Sequence, residues 1–244
     1  MLNTAVTELN KDFDEIVEVL SLSLQAADDD ESKQAMQVIE ALRQNIQIML
    51  RLESDVHNNK QPDITEEGIS QIADYALNLL DEIAASCASR GLDEQTIRLH
   101  QLSIPVVVWL ESHGGKLTKL DIVANAIASF ANTIQQADKL EALCGLIATV
   151  VDATDQSIKF DLENVNPMRP WRILNLNWGI VATRTHNAEL MEKVFDRLIE
   201  NIPADAAQFF NEGMQQMDIV GYPDHVRLVM GKYAERTGSG SVLH

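Results

Sequence analysis

The sequence predicts an all-α protein of antiparallel helical hairpins, laid out as an α-solenoid or as an irregular helical bundle. Three observations predict it. Apolar residues recur in steps of three and four, which places them on one face of a helix. One helix-start pattern occurs three times: a Thr or Asp with an apolar residue just before it and another four positions after it. The short apolar run Val106 to Leu110, the one candidate for a buried strand, has no strand-like segment nearby to pair with.

Leu2, Val6, Leu9, Phe13, Ile16 and Leu20 form the seam of a first helix, and Ala35, Ile39, Leu42, Ile46 and Met49 that of a second. The link Asp28-Asp29-Asp30 is short and charged, so residues 1–56 fold back as a long-helix hairpin. The polar stretch from Val56 to Asp63, with Pro62 at its end, reads as a loop and a boundary. A middle group of helices over 64–136 follows, capped by Thr65, Asp93 and Thr118. Pro105 lacks an N–H and clashes one turn back, which predicts a break near Ser103. The apolar run after it then reads as a buried helical turn, ended at Gly114-Gly115. Over 137–236, helices are predicted at 140–153, 167–184, 188–201, 205–219 and 224–236, with Pro167, Pro203 and Pro223 at or near starts. Residues 237–244 read as a flexible tail, and the rest as one continuous globular unit.

With 45% hydrophobic residues in 244, the chain can bury a sizeable core. Its 37 Asp and Glu against 19 Lys and Arg give a net charge of -18, which suits a basic partner. Nucleic acid is excluded as a partner, because phosphate binding needs clustered Lys and Arg. Cys87 and Cys144 lie far apart in apolar helical contexts, as core residues of a reducing compartment do. Met1-Leu2-Asn3-Thr4 lacks the basic and apolar regions of a signal peptide, and no apolar run is long enough for a bilayer. The expected location is the cytoplasm, with no membrane partner. Apolar residues left over on the N-terminal hairpin predict a homodimer, a copy packing on it as a four-helix arrangement, unless the middle helices use the seams.

Gly145, Gly179 and Gly213 are spaced by 34 residues. At the same period Ala148 meets Ala182, Val194 meets Leu228 and Phe195 meets Val229. Residues from about 139 to 236 thereby resemble tetratricopeptide-type helical hairpins, with each glycine at the motif's small-residue site, Phe195 at its aromatic site and Pro203 at its closing proline. They depart from it at the early aromatic site, filled by Phe209 but by Glu141 and Asn175 in the other units. The resemblance implies a binding protein that holds a peptide or partner helix on the inner face of each first helix. By position that face carries Ile173, Leu176, Ile180, Thr183 and Arg184, then Phe210, Met214, Met217 and Asp218. The implied function is non-enzymatic protein–protein interaction, as an adaptor or assembly factor.

The stretch Arg169 to Trp178 concentrates cations and aromatics in an acidic chain. Trp171, Leu174 and Trp178 share a helical face, with Arg172 and Asn175 beside it. Two readings follow. The tryptophans anchor packing while the arginines pair locally, or Arg169, Arg172 and Arg184 grip an anionic ligand beside Trp171 and Trp178. The second is a small-ligand regulatory protein. No metal or cofactor is expected, for Glu-x-x-His is absent and Cys and His do not cluster. Nor is there a Gly-x-Ser-x-Gly turn, or a basic residue in sequence beside either cysteine. Glu111-Ser112-His113-Gly114-Gly115 reads as a helix terminus. An enzyme is the third reading.

Overall fold

The computed structural model describes residues 5–27, 29–58, 64–162 and 165–238. Among them there is no strand, and a single isolated bridge pairs Leu117 with Thr154. The all-α prediction is correct. The helices fall into two compact units, one of residues up to Ala126 with Thr149–Asp155, the other of Ile127–Ala148 with the residues from Gln156 on. The chain passes from one to the other three times, after Ala126, Ala148 and Asp155.

The first unit holds α1 (Ala5–Ala27), α2 (Asp30–His57), α3 (Glu66–Ser89), α4 (Asp93–Gln101) and α5 (Ser103–Ser112). Asp29 caps α2, its side chain accepting from the Ser32 N–H at 2.7 Å. Arg43 meets Asp14 at 3.2 Å, and the two stand equally far from the turn, as an antiparallel hairpin requires. α2 runs on through His57, so Val56 and His57 are helical rather than loop. Leu2, Asp28 and residues 59–63 lie outside the described residues. Leu9, Phe13, Ile16, Leu20, Ile39, Leu42, Ile46 and Met49 are all buried. α3 packs on α2, and α4 and α5 pack on α1 and α3. The middle helices therefore cover the seams, while Leu22, Met36 and Ile48 of the hairpin remain exposed.

Thr65 caps α3, accepting from the Gly68 N–H at 3.1 Å. The other two expected caps are corrected. Leu92 is the cap residue of α4, with no side-chain bond, and Asp93 stands inside the first turn, where its charge suits the helix dipole. Thr118 donates its hydroxyl to Asp74 at 2.5 Å, and the next helix, α6 (Asp121–Thr133), starts three residues later. The break before Pro105 falls at Leu102, which places the proline in the first turn of α5, where its missing N–H costs nothing. Val106, Val107, Trp109 and Leu110 are buried on that short helix, on all sides apolar.

The second unit holds α8 (Gln156–Lys159), α9 (Pro170–Thr185), α10 (Ala188–Asn201), α11 (Pro203–Val220) and α12 (Asp224–Gly238). Both α6 and α7 (Ala137–Ala153) have one end in each unit. α9 pairs with α10 and α11 with α12, and α10 also touches α11 and α12. Pro170 and Pro203 start their helices, whereas Pro167, expected at a start, lies before one. Asn187 caps α10, and left-handed Gly221 (φ 76°) ends α11. Thr237 donates to the Tyr233 carbonyl at 2.9 Å, so 237 and 238 belong to α12 and not to a tail; 239–244 lie outside the described residues.

The three spaced glycines differ in what they meet. A Cβ on Gly179 would lie 2.5 Å from Phe209 Cζ and 2.9 Å from Leu198 Cδ1, and one on Gly213 would lie 2.8 Å from Met230 Cε. Gly145 faces open space, since α8, at 4 residues, is too short to act as the second helix of a hairpin with α7. Gly179→Ala should destabilise by about 1–3 kcal/mol through overpacking. Gly145→Ala, in a helix interior with room, should stabilise by about 1 kcal/mol. Urea unfolding of both variants checks this, and equal effects would show the close approach at Gly179 to be relieved at no cost.

Cys87 and Cys144 are free and buried, and burial pushes their thiols up, to about 11 and about 12. Neither thiol is ionised at pH 8, so a disulfide reagent should leave the folded protein unlabelled and titrate both thiols in denaturant. Rapid labelling of the folded chain would contradict this burial.

Candidate functional site

Arg169 stands just before α9 with extended backbone and is 3% exposed. Its guanidinium grips Asp161 through two bonds, at 2.6 and 2.9 Å, and reaches Asp205 at 2.5 Å. Arg172 Nε donates to the other oxygen of Asp205 at 2.6 Å. Burial pushes the Asp205 carboxyl up, but the bonds and charges of Arg172 and Arg169 outweigh it and hold that carboxyl below the usual range. Asp161 itself has left-handed backbone (φ 49°). The network ties the segment before α9 to the first turn of α11.

Trp171 Nε1 donates to the Asn201 carbonyl at 3.1 Å, and the buried Asn175 joins it by linking Asn201 and the Trp171 carbonyl. Trp178 is buried with the Arg197 guanidinium over its ring. Arg184 stands apart from the other two arginines and donates to the carbonyls of Ala131 and Ile134. So Arg169, Arg172, Trp171, Asn175 and Trp178 serve packing and internal pairing. They do not enclose the anion pocket expected for them with Arg184.

The inner-face residues divide. Phe210 is fully buried, its ring 5.0 Å from Phe195 and 5.4 Å from Tyr233, and so belongs to the core. Met214 is half-buried and lies towards Gly231 of α12. Ile180 and Met217, with Thr183, line a real cleft of 330 Å³ between α9 and α11. On α11 the lining is Phe209, Gly213, Met217 and Val220, spaced by steps of four, four and three, and Met230 of α12 joins it. The absence of side chains on Gly179 and Gly213 is what lets Phe209 and Met230 approach. Glu212 and Gln216 are the polar groups on α11 there. Sequence reasoning missed Phe209, Val220, Tyr222 and Met230 as lining residues. The spacing of Phe209 from Met217 on α11 was an available signal, and the packing of α12 was not.

A second, more polar cavity of 280 Å³ shares Val220 and Tyr222 with the cleft and adds Arg184, His186 and Gln135. His186 ends α9 in left-handed conformation, its ring edge-on to Tyr222 at 5.3 Å. No protein-family model, curated protein or solved structure matches the chain. Among the described residues no three His, Cys, Asp or Glu side chains gather as a metal would need, and no helix is long and apolar enough to cross a membrane.

Proposed function

We propose that the chain is a non-enzymatic protein–protein interaction module of the cytoplasm, an adaptor or assembly factor, and that it holds an apolar segment of its partner in the cleft between α9 and α11. The observation that carries this is the lining itself: Phe209, Met217 and Met230 below, with Ile180 45% and Val220 66% exposed beside them. Methionines adapt their shape to an incoming side chain, and apolar groups at an open cleft gain by being covered. The 34-residue glycine spacing, with two of the three glycines at helix contacts, favours a tetratricopeptide-type layout for the C-terminal hairpins. Glu212 beside the cleft and the net charge of -18 favour a basic flank on the partner's segment.

A photo-crosslinking residue placed at Ile180 tests it in cytoplasmic extract, beside the same residue at Ile48, which is equally exposed at 47% on α2. A discrete protein captured from position 180 alone is the expected result. The same capture pattern from both positions would overturn the reading.

A further inference from the structure

We infer that the cleft and the cavity adjoining it form one site for a small ligand, an aliphatic chain ending in a carboxylate, with the carboxylate at Arg184. The alkyl chain would take the same cleft as the partner's apolar segment, so the two would compete for it, and the ligand can be tested without a partner. The two cavities share Val220 and Tyr222 in their walls, so they adjoin. The first is lined mainly by apolar side chains, Ile180, Phe209, Met217 and Met230 among them, which suit an alkyl chain, with Glu212 and Gln216 as its polar groups. From Phe209 to Val220 the α11 wall is about 16 Å long at the rise of a helix, room for a medium-length alkyl chain.

The second cavity supplies the charge. Arg169, Arg172, Arg227 and Arg236 each pair with an aspartate of this unit. Arg184 forms no ion pair with any described residue, although acidic residues outnumber basic ones 37 to 19. Its three bonds go to neutral oxygens, those of Ala131, Ile134 and the Gln135 side chain, and an arginine has five donors. The guanidinium is therefore held in place by helix-end carbonyls with its charge unmatched, beside a cavity. A single charge of that kind suits a monoanion, and a carboxylate is the monoanion an arginine grips in two places.

Calorimetric titration of the purified chain with decanoate, below its micelle concentration, and with decan-1-ol tests the assignment. The expected result is saturable binding of one decanoate, with decan-1-ol about tenfold weaker. Arg184→Gln keeps an amide donor for the carbonyls and removes the charge; it should weaken decanoate about tenfold and leave decan-1-ol unchanged. Ile180→Glu, at a half-exposed position, should weaken both ligands whether or not Arg184→Gln folds. Absence of saturable decanoate binding, equal affinity for acid and alcohol, or decanoate binding unaffected by Ile180→Glu would overturn the inference.

Discussion

Arg169→Met should destabilise the protein by about 3–5 kcal/mol, the usual result of breaking a buried ionic network from one side. The guanidinium is 3% exposed, and the Asp161 and Asp205 side chains are each 14% exposed. Without Arg169, Asp161 loses both bonds to its cation, and Asp205 is left with Arg172 alone. Urea unfolding followed by circular dichroism at pH 7 measures the loss. Replacing Asp161 and Asp205 by Asn in the same variant should recover part of it, because neutral amides cost less to bury than unpaired carboxylates. A loss under about 1 kcal/mol would mean that water replaces the arginine. The network also sets an acid response. Asp205 is held below its ordinary value of 3.8, so its contribution is complete above that value and disappears as pH falls through the lowered one. The wild type should lose stability on that acid limb more steeply than Arg169→Met, in which the carboxyl has one cation fewer.

Phe195→Ala has an expected cost of the same order, about 3–5 kcal/mol. The ring is fully buried and makes edge-on contacts with Phe210 at 5.0 Å, Tyr233 at 5.2 Å and Phe209 at 6.0 Å. Those four rings come from α10, α11 and α12, so the lost volume cannot be closed by one side chain turning. Phe195→Leu keeps most of the volume and should cost less than half as much. Because Phe209 also lines the cleft, the alanine variant loosens the wall of the candidate site. A cost below that of the leucine variant would show that the cluster collapses around the gap.

Much of the fold was legible because it rests on local signals. Leu9, Phe13 and Ile16 mark a buried face by spacing alone, and Thr65 and Pro105 mark a start and a break by their own chemistry. The misplaced caps share one cause. Asp93 and Thr118 carry the flanking apolar pattern of a helix start, but that pattern only says that two faces are buried. The Thr118 hydroxyl goes to Asp74, a partner 44 positions away that no local rule reaches. The candidate residues divide along the same line. Arg169 and Arg172 attracted notice by composition, while the aspartate that neutralises both lies 36 and 33 residues on. Ile180 and Met217 were named through the 34-residue glycine spacing, and both line the cleft; Met230 and Tyr222 enter it through the packing of α12 and the turn before it, which has no marker in the sequence.

The paths of α6 and α7 bear on how the chain is made. The first unit is discontinuous: after Ala126 the chain leaves it and returns for Thr149–Asp155, where the Leu117 N–H donates to the Ala153 carbonyl and the Asp155 N–H donates to Leu117, both at 2.9 Å. A ribosome delivers residues in order, so the helices α1 to α5 emerge and collapse before the segment that completes their unit exists. The nascent chain must wait with Leu117 and the wall around it unfinished until residue 155 is out. A fragment cut after Ala126, where the first stretch of the unit ends, would keep that unfinished state for good.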